Sequence, residues 1–397
     1  MIPLSIDPDI RKAYTLPSAW YRDQATYDHV IETVLLPSWH YVASEAELTS
    51  VIELTEGATD VGERTMEAGA RTFPVLLLPG SVDEPLVIVR KGSVTRVLSN
   101  VCTHRGNILI RKAGTLREIR CMYHGRRFNT EGKCIHMPEF KEVEGFPSET
   151  DHLRSIEHGV WAGMHFARIP PQVVRTPPQE RGPLTTRPLP TKSFEDWAKI
   201  LEDRLSFLPL DRAEHRVELD KDFEIQAHWA LYVENYLEGF HIPFVHPGLN
   251  AVLEWNSYET ICLENGILQI GIAREGDLTF SLPADHIDFG KRVAAYYYWM
   301  FPNTMINVYP WGISLNIVLP QSIDSTIIRY RTFVWDESTY NTGAGSSLDT
   351  VEGEDDDVVE HQQKGMQSRI YDRGRYSPKR EQGVHHFHRM LEALQHR

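Results

Sequence analysis

The stretch "CTHRGNILIRKAGTLREIRCMYHG", which begins at residue 102, constrains this chain more than any other. Cys102 and His104 stand one residue apart, sixteen residues follow, and Cys121 and His124 then stand two apart. Ligands so spaced on a turn can face a common centre, and two such turns can clamp a small inorganic group between them. Gly106 and Gly125 follow the pairs and let the backbone come close to that group.

One thiolate and one imidazole on each turn suit an iron–sulfur centre in which two cysteines hold one iron and two histidines the other. Neutral imidazoles in place of thiolates leave less negative charge on the cluster and raise its reduction potential. A zinc site is the alternative, but zinc knuckles space paired ligands by two to four residues and Cys-x-His is tighter than that. Cys134 and Cys262 lack a histidine at comparable spacing and are read as small core residues.

The motif lies among short β-rich runs, "RTFPVLLLPG", "EPLVIVRKG", "VTRVLSN" and "GVWAGMHFARI", which predict a small all-β domain. Seven prolines between positions 170 and 190 then predict an extended connector. Upstream, "ATYDHVIETVLLPSWHYV" predicts an amphipathic helix stopping near Pro37. Downstream, Ser193 and Asp196 make a capping box ahead of one helix, and "AHWALYVENYLEGFH" predicts a second. Aromatic and β-branched runs from 296 to 335 predict antiparallel strands. "NTGAGSSLDTVEGEDDD" is read as a polar loop, and two closing helices are expected around 358–371 and 384–395. The fold class is α+β, with helices against one antiparallel sheet in the second half.

C-x-H-x16-C-x2-H in a β domain resembles the Rieske [2Fe–2S] signature. "CMYHGRRFNTEGKCIHMPEF" is similar to the Rieske domains of non-heme iron oxygenases, and the resemblance runs over nearly the whole chain. It implies an N-terminal helical segment of the catalytic domain at 1–45, a Rieske domain at 46–170, a connector at 171–192 and a helix-grip, START-like catalytic domain at 193–397. The cluster ligands would be Cys102, His104, Cys121 and His124.

A cluster of this kind only carries electrons, and "ENYLEGFHIPFVHP" offers a place to use them through Glu238, His241 and His246. Glu238 and His241 would share a helical face. His241 and His246 lie about 140° apart on an ideal helix, so they meet only if the helix distorts, and Pro243 between them predicts such a distortion. Two imidazoles and a carboxylate with open positions form the facial triad of oxygen-activating Fe(II). E-x2-H-x4-H resembles the mononuclear iron motif of the same family. There the histidines ligate iron, and the acid joins a metal-bound histidine to the Rieske histidine of a neighbouring subunit. The resemblance thus implies an electron path through His124, Glu238 and His241, and a homotrimer. It places the third ligand five residues before a glutamate; with Glu360 as anchor this is Asp355, with Asp356 and Asp357 as alternatives. The family's Asn-Trp-Lys is "HWA" here, so His228 and Ala230 depart from it. His385, His386 and His388 would fan out around a helix and are read as packing or surface groups, and Glu352 and Glu354 as solvated loop acids.

"MFPNTMINVYPWGISLNIVLP" resembles the pocket strands of the choline, glycine betaine and carnitine monooxygenase branch, and Glu238 at the bridging position leans the same way. Trp299, Tyr309 and Trp311 would cage a quaternary ammonium by cation–π attraction, with Pro310 marking a bulge between the last two. The implied reaction is monooxygenation of a small amine or quaternary ammonium compound, using O₂ and hydroxylating beside nitrogen. An aromatic-ring dioxygenase is the second reading, and a Rieske electron carrier without oxygenase activity is a third of another class. No G-x-G-x-x-G fingerprint occurs, so NAD(P)H would act through a separate reductase docking near His104 or His124. Lys plus Arg total 41 against 55 acidic residues, and the net charge of -14 argues against nucleic acid and anionic membrane as partners. No stretch approaches the roughly 20 apolar residues of a membrane span. Four cysteines and an N-terminus without signal-peptide character place the expected home in the cytoplasm.

Overall fold

The structure is a computed structural model and describes residues 1–49, 69–169 and 193–395. The expected connector at 171–192 lies outside the described residues, as does most of the predicted start of the Rieske domain. The chain forms two units. One joins Met1–Ser38 to the described residues from 193 onward, and the other spans the described residues from 39 to 169.

In the second of these units, strands β1 (His40–Ser44), β2 (Ala70–Leu77), β3 (Glu84–Lys91), β4 (Val94–Ser99), β5 (Gly114–Leu116), β9 (Ser155–Trp161) and β10 (Met164–Arg168) form one sheet, in the order β1-β10-β9-β4-β3-β2-β5. Strand β1 falls inside the segment expected to belong to the catalytic domain. It instead closes this sheet by antiparallel pairing with β10. Three short strands, β6 (Ile119–Arg120), β7 (Arg127–Phe128) and β8 (Cys134–His136), make a second sheet. Val87, Val89, Leu98, Ile119, Phe128 and Cys134 fill the core between them. At the turn before β8, Gly132 has φ +85 and lies against Leu98, where a side chain would be strained and crowded.

The other unit is built on antiparallel strands β11 (Glu214–His215), β12 (Lys221–Ile225), β13 (Glu259–Leu263), β14 (Gly266–Ile272), β15 (Val293–Met300), β16 (Thr304–Tyr309), β17 (Gly312–Ser322) and β18 (Ser325–Val334). The order is β11-β18-β17-β16-β15-β14-β13, with β12 also on β18. Every residue of β15 and β16 is buried, so these central strands are covered on both faces and read as continuous apolar runs rather than alternating ones. The helices of this unit are α1 (Gln24–Val30), α2 (Phe194–Leu205), α3 (Trp229–Tyr236), α4 (Ile242–Val245), α5 (Pro247–Val252), α6 (Leu348–Met366) and α7 (Gln382–Gln395). Helix α1 runs into a π-helical turn, Ile31–Leu35, ahead of Pro37. Ser193 caps α2 by accepting from the N–H of Asp196.

Helix α6 corrects the predicted polar loop, because it begins at Leu348 and its acidic run lies within the helix. Glu352, Val359, Gln363 and Met366 face inward at spacings of seven, four and three, which is a helical stripe. The acids near its N-terminal half are favoured by the macrodipole. Helix α3 packs between α6 and β17. The remaining histidines follow the packing reading: His385 Nε2–H donates to Asp7 O, His386 Nε2–H donates to Leu263 O, and His388 is enclosed by Glu234 and Tyr376. Cys262 departs from its expected core place, since it lies exposed on the edge strand β13. No helix among the described residues is long and apolar enough to cross a membrane.

Candidate active site

The two Cys/His loops are near copies of each other. Val101 bridges Ile108 at the base of the first, and Arg120 pairs with Arg127 at the base of the second. Within them Cys102 N–H donates to Asn107 O and Cys121 N–H to Arg126 O, both at 2.8 Å. Gly106 N–H returns to Cys102 O and Gly125 N–H to Cys121 O, both at 3.0 Å, with φ +70 and +74 at the glycines. Both cysteines are buried, and the His104 and His124 rings stand 4.9 Å apart. Arg126, at the base of the second loop, donates to Thr103 Oγ1 in the first at 2.7 Å and to Asp151 at 3.1 Å, so it ties the loops together.

These residues fit a two-iron cluster. His124 Nδ1 is buried with no hydrogen-bond partner, as a nitrogen reserved for a metal would be. Burial, reinforced by His124, Arg126 and Arg105, holds His104 below its ordinary pKa, the direction that favours the neutral form a ligand needs. Asn107 Nδ2 points at Cys121 Sγ from 3.7 Å, a polar contact of the kind that tunes cluster potentials.

In the other unit, α3 ends at Tyr236, before Glu238, so Glu238 and His241 do not share one helical face as predicted. The chain turns through Gly239, where a Cβ would meet the Tyr258 ring at 2.9 Å. His241 then caps α4, with Pro243 inside its first turn where no N–H is missed. A second break falls at His246, φ -115 and ψ 80, between α4 and α5. Two breaks, one on each side of Pro243, thus replace the single predicted distortion.

These turns aim His241 and His246 at α6. One ligand atom from each of His241, His246 and Asp355 lies within 4.8 Å of the others. Asp355 Oδ1 is 3.0 Å from His246 Nε2 and 3.5 Å from His241 Nε2. Each ring's other nitrogen is held by a carboxylate: His241 Nδ1 by Glu238 at 2.7 Å and His246 Nδ1 by Glu354 at 2.8 Å. A carboxylate only accepts, so each Nδ1 keeps its proton, and Nε2 is the nitrogen left to give a lone pair to a metal that takes the place of any proton there. Burial works against charge on His246, but Asp355 and then Glu354 outweigh it and hold its pKa above the ordinary value. The donor set, two imidazoles and one carboxylate, fits Fe(II) with open positions.

Glu238 also accepts from the N–H groups of Phe240 and His241, which fixes its carboxylate. Glu352 is 2% exposed and accepts from the hydroxyls of Tyr232 and Tyr330. Neither Glu352 nor Glu354 is the solvated loop acid expected from the sequence, because α6 starts early enough to carry both. Asp356 turns toward Glu352 rather than the histidines, and burial lifts its pKa to about 6. Asp357 is exposed beside His361.

A cleft of about 730 Å³, counted to its open mouth, adjoins His241, His246 and Asp355. Tyr309 lines it, but Trp299 and Trp311 do not. Trp299 packs on Phe301 and Phe387 and donates to Pro302 O, anchoring α7 to the sheet. Trp311 stacks behind Tyr309 at 5.1 Å in the core. Pro310 and Trp311 form the two-residue turn between β16 and β17, since Tyr309 pairs with Gly312, so no bulge turns the indole to the cavity. The aromatic wall instead uses Tyr236, Tyr258 and Tyr297 with Tyr309.

Residues 78–147 match the Rieske [2Fe-2S] domain family and residues 210–395 the Ring hydroxylating alpha subunit (catalytic domain). The carnitine monooxygenase oxygenase subunit of Escherichia coli strain K12 is 27% identical over 412 residues, spanning 99% of this chain and 97% of the relative. The chloroplastic choline monooxygenase of Arabidopsis thaliana is 25% identical, over 97% of this chain and 84% of the relative. In fold, the chain is similar to the quaternary ammonium Rieske monooxygenase CntA, with TM-score 0.69 at 21% identity, over 98% of this chain and 99% of that one. It is also similar to naphthalene 1,2-dioxygenase from Rhodococcus sp., with TM-score 0.64 at 16% identity, over 96% of this chain and 94% of that one. The cofactors are a Rieske [2Fe–2S] cluster and a mononuclear iron. Carrying a Rieske domain and a ring-hydroxylating catalytic domain in one polypeptide, the chain belongs to the Rieske non-heme iron oxygenases, as the oxygenase component.

Proposed function

We propose that this chain hydroxylates a small amine or quaternary ammonium compound, drawing electrons from a separate NAD(P)H-dependent reductase. Cys102, His104, Cys121 and His124 hold the cluster, and His241, His246 and Asp355 hold the iron. The observation that carries the site reading is the convergence of two Nε2 atoms on Asp355, with each Nδ1 anchored by its own carboxylate beside a tyrosine-walled cleft. The names of the relatives, carnitine and choline monooxygenases, support the substrate class.

When bound, iron and cluster supply the electron transfers that let one O₂ and two protons convert a C–H bond to C–OH and release water. The protein's own groups set the conditions. Glu238 and Glu354 fix both histidine rings, and the buried Tyr297 and Tyr309 wall the cleft beside them. Hydroxylation beside nitrogen gives an unstable carbinolamine that collapses to an aldehyde and a shorter amine.

Glu238 has a second part in this reading. Its Oε1 holds His241, and its free lone pairs can receive His124 of the partner subunit, so that electron and proton pass between protomers of a homotrimer. Residues beside His124 support an outward-facing loop tip: Met122 and Tyr123 are 77% and 56% exposed. The unpaired state of all four cysteines agrees with the reducing cytoplasm.

Metal analysis and oxygen uptake test the proposal. About three irons per chain, a Rieske electron-paramagnetic-resonance signal, and aldehyde formation that disappears in His241→Ala are the expected results. About two irons after Fe(II) reconstitution would return the chain to the electron-carrier reading. Incorporation of both oxygen atoms into an arene would favour the ring dioxygenase.

A further inference from the structure

Two polar atoms in the cleft have no partner in the protein. Gln269 on β14 is 1% exposed; its Nε2 donates to Tyr236 O at 2.6 Å, but its Oε1 accepts nothing. Tyr297 on β15 is 9% exposed, and its hydroxyl is also unpartnered. The two residues face each other across the β14–β15 pairing and line the same cleft. Further along this row of the sheet, Asn307 faces Tyr297 and Ser314 faces Asn307. Those groups are already engaged. Asn307 Oδ1 accepts the Tyr236 hydroxyl at 2.7 Å, its Nδ2 donates to Ser314 O at 3.1 Å, and the Ser314 hydroxyl meets Asn316 at 3.0 Å.

One unpartnered acceptor and one unpartnered hydroxyl therefore belong to paired residues of β14 and β15 that line the cleft. Buried polar groups are seldom left unsatisfied in a native protein unless a ligand or water completes them. A group that donates to the carbonyl oxygen and accepts from the phenol completes both, and an alcohol does this without bringing a charge.

Charge narrows the choice. Among the described residues lining the cleft there is no lysine or arginine, and the acids are Glu238 and Asp355. A substrate carboxylate would be buried here without a side-chain countercharge, which is costly. A cation meets the opposite setting. The Tyr258 and Tyr297 rings lie nearly parallel at 6.4 Å, and Tyr309 closes on Tyr297 at 6.0 Å and 79°, so ring faces and edges meet at a corner.

Building on the amine-oxygenase reading of this site, we infer that the substrate is a cationic amino alcohol or its quaternary form, held through its hydroxyl by Gln269 and Tyr297, and not a carboxylate-bearing zwitterion. The relatives named for carnitine and for choline differ in this respect, because carnitine carries a carboxylate and choline does not.

Calorimetric titration of the iron-loaded holoenzyme tests this without needing a reductase. The probes are choline, tetramethylammonium (which lacks the hydroxyl), glycine betaine and L-carnitine. Choline should bind about tenfold more tightly than tetramethylammonium and about a hundredfold more tightly than either carboxylate. In Tyr297→Phe and Gln269→Leu the choline-to-tetramethylammonium ratio should fall toward one. A ratio is unaffected by a general loss of binding. If Gln269→Leu does not fold, Tyr297→Phe carries the test, because it removes a hydroxyl that holds nothing in the free protein. Tighter or equal binding of glycine betaine or carnitine overturns the inference and leaves the amine-oxygenase reading standing. A ratio that survives both substitutions overturns the assignment of the hydroxyl site. Failure of every ammonium probe overturns both, and binding of naphthalene in their place would point to the ring dioxygenase.

Discussion

Glu354 holds Nδ1 of His246 at 2.8 Å, and so does for one candidate iron ligand what Glu238 does for the other. The two carboxylates come from different places in the chain, one from the turn after α3 and one from the middle of α6. Both fix the tautomer that frees Nε2. Glu354→Ala should therefore weaken iron binding by about tenfold to a hundredfold, the usual cost of losing such a partner. Mononuclear iron content at limiting Fe(II) measures this, with the Rieske signal as the control. Full iron occupancy and unchanged activity would show that His246 needs no such support.

The three consecutive aspartates separate cleanly by surroundings. Asp355 faces the two imidazoles, Asp356 faces Glu352, and Asp357 is exposed. Asp355→Ala should retain about two irons per chain, those of the cluster, while Asp357→Ala retains about three. Equal iron content in the two variants would remove Asp355 from the ligand set.

Residues close in sequence were the legible part of this site. The cluster loops and the His241/His246 pair are local motifs, and their residue types name their chemistry before any fold is known. What escaped was set by where helices start and stop. Reading 341–357 as loop turned Glu352 and Glu354 into solvated acids, although the spacing of Glu352, Val359, Gln363 and Met366 already described a helical face. The strands behaved similarly. Tyr297, Trp299, Tyr309 and Trp311 are all aromatic and all buried, and only the sheet register separates those at the cleft from those behind it. Gln269 carries no motif at all, and its role depends on facing Tyr297 across the β14–β15 pairing.

Glu352 offers a stability test. Burial, and then the charge of Asp356, raises its pKa well above the carboxylate value, and the Tyr232 and Tyr330 hydroxyls donate to one of its oxygens. The folded state thus keeps a proton that the unfolded chain loses above its pKa of 4.5. The stabilisation is present below that value and is lost as pH rises through the folded pKa. Glu352→Gln keeps an acceptor without the titration, so its stability relative to the parent should be greater at pH 8 than at pH 5. Glu352→Ala removes the acceptor that both hydroxyls share, leaving them only each other, and opens a void, at a cost of about 2–4 kcal/mol. Urea denaturation of the three proteins at both pH values checks the order; a pH-independent difference for Glu352→Gln would mean the carboxylate is ionised when folded.

His228, which stands where the family often has asparagine, should make the catalytic unit sensitive to acid. Its ring is buried among Trp20, Tyr21 and Tyr27, and its Nδ1 accepts from Ala230 N–H at the start of α3. Burial lowers its pKa from 6.5 to about 3. Between those values the unfolded chain takes up a proton that the folded ring refuses. Stability is therefore complete above the unfolded value and declines as pH falls toward the folded one, by at most about 1.4 kcal/mol per pH unit for one proton. His228→Asn retains a good N-cap and removes this titration. Its unfolding free energy should fall less steeply than that of the parent between pH 6.5 and 4.5. Parallel curves over that range would mean that His228 takes up its proton in the folded protein, and the packing of α3 against the N-terminal aromatic residues would then have to accommodate a charged ring.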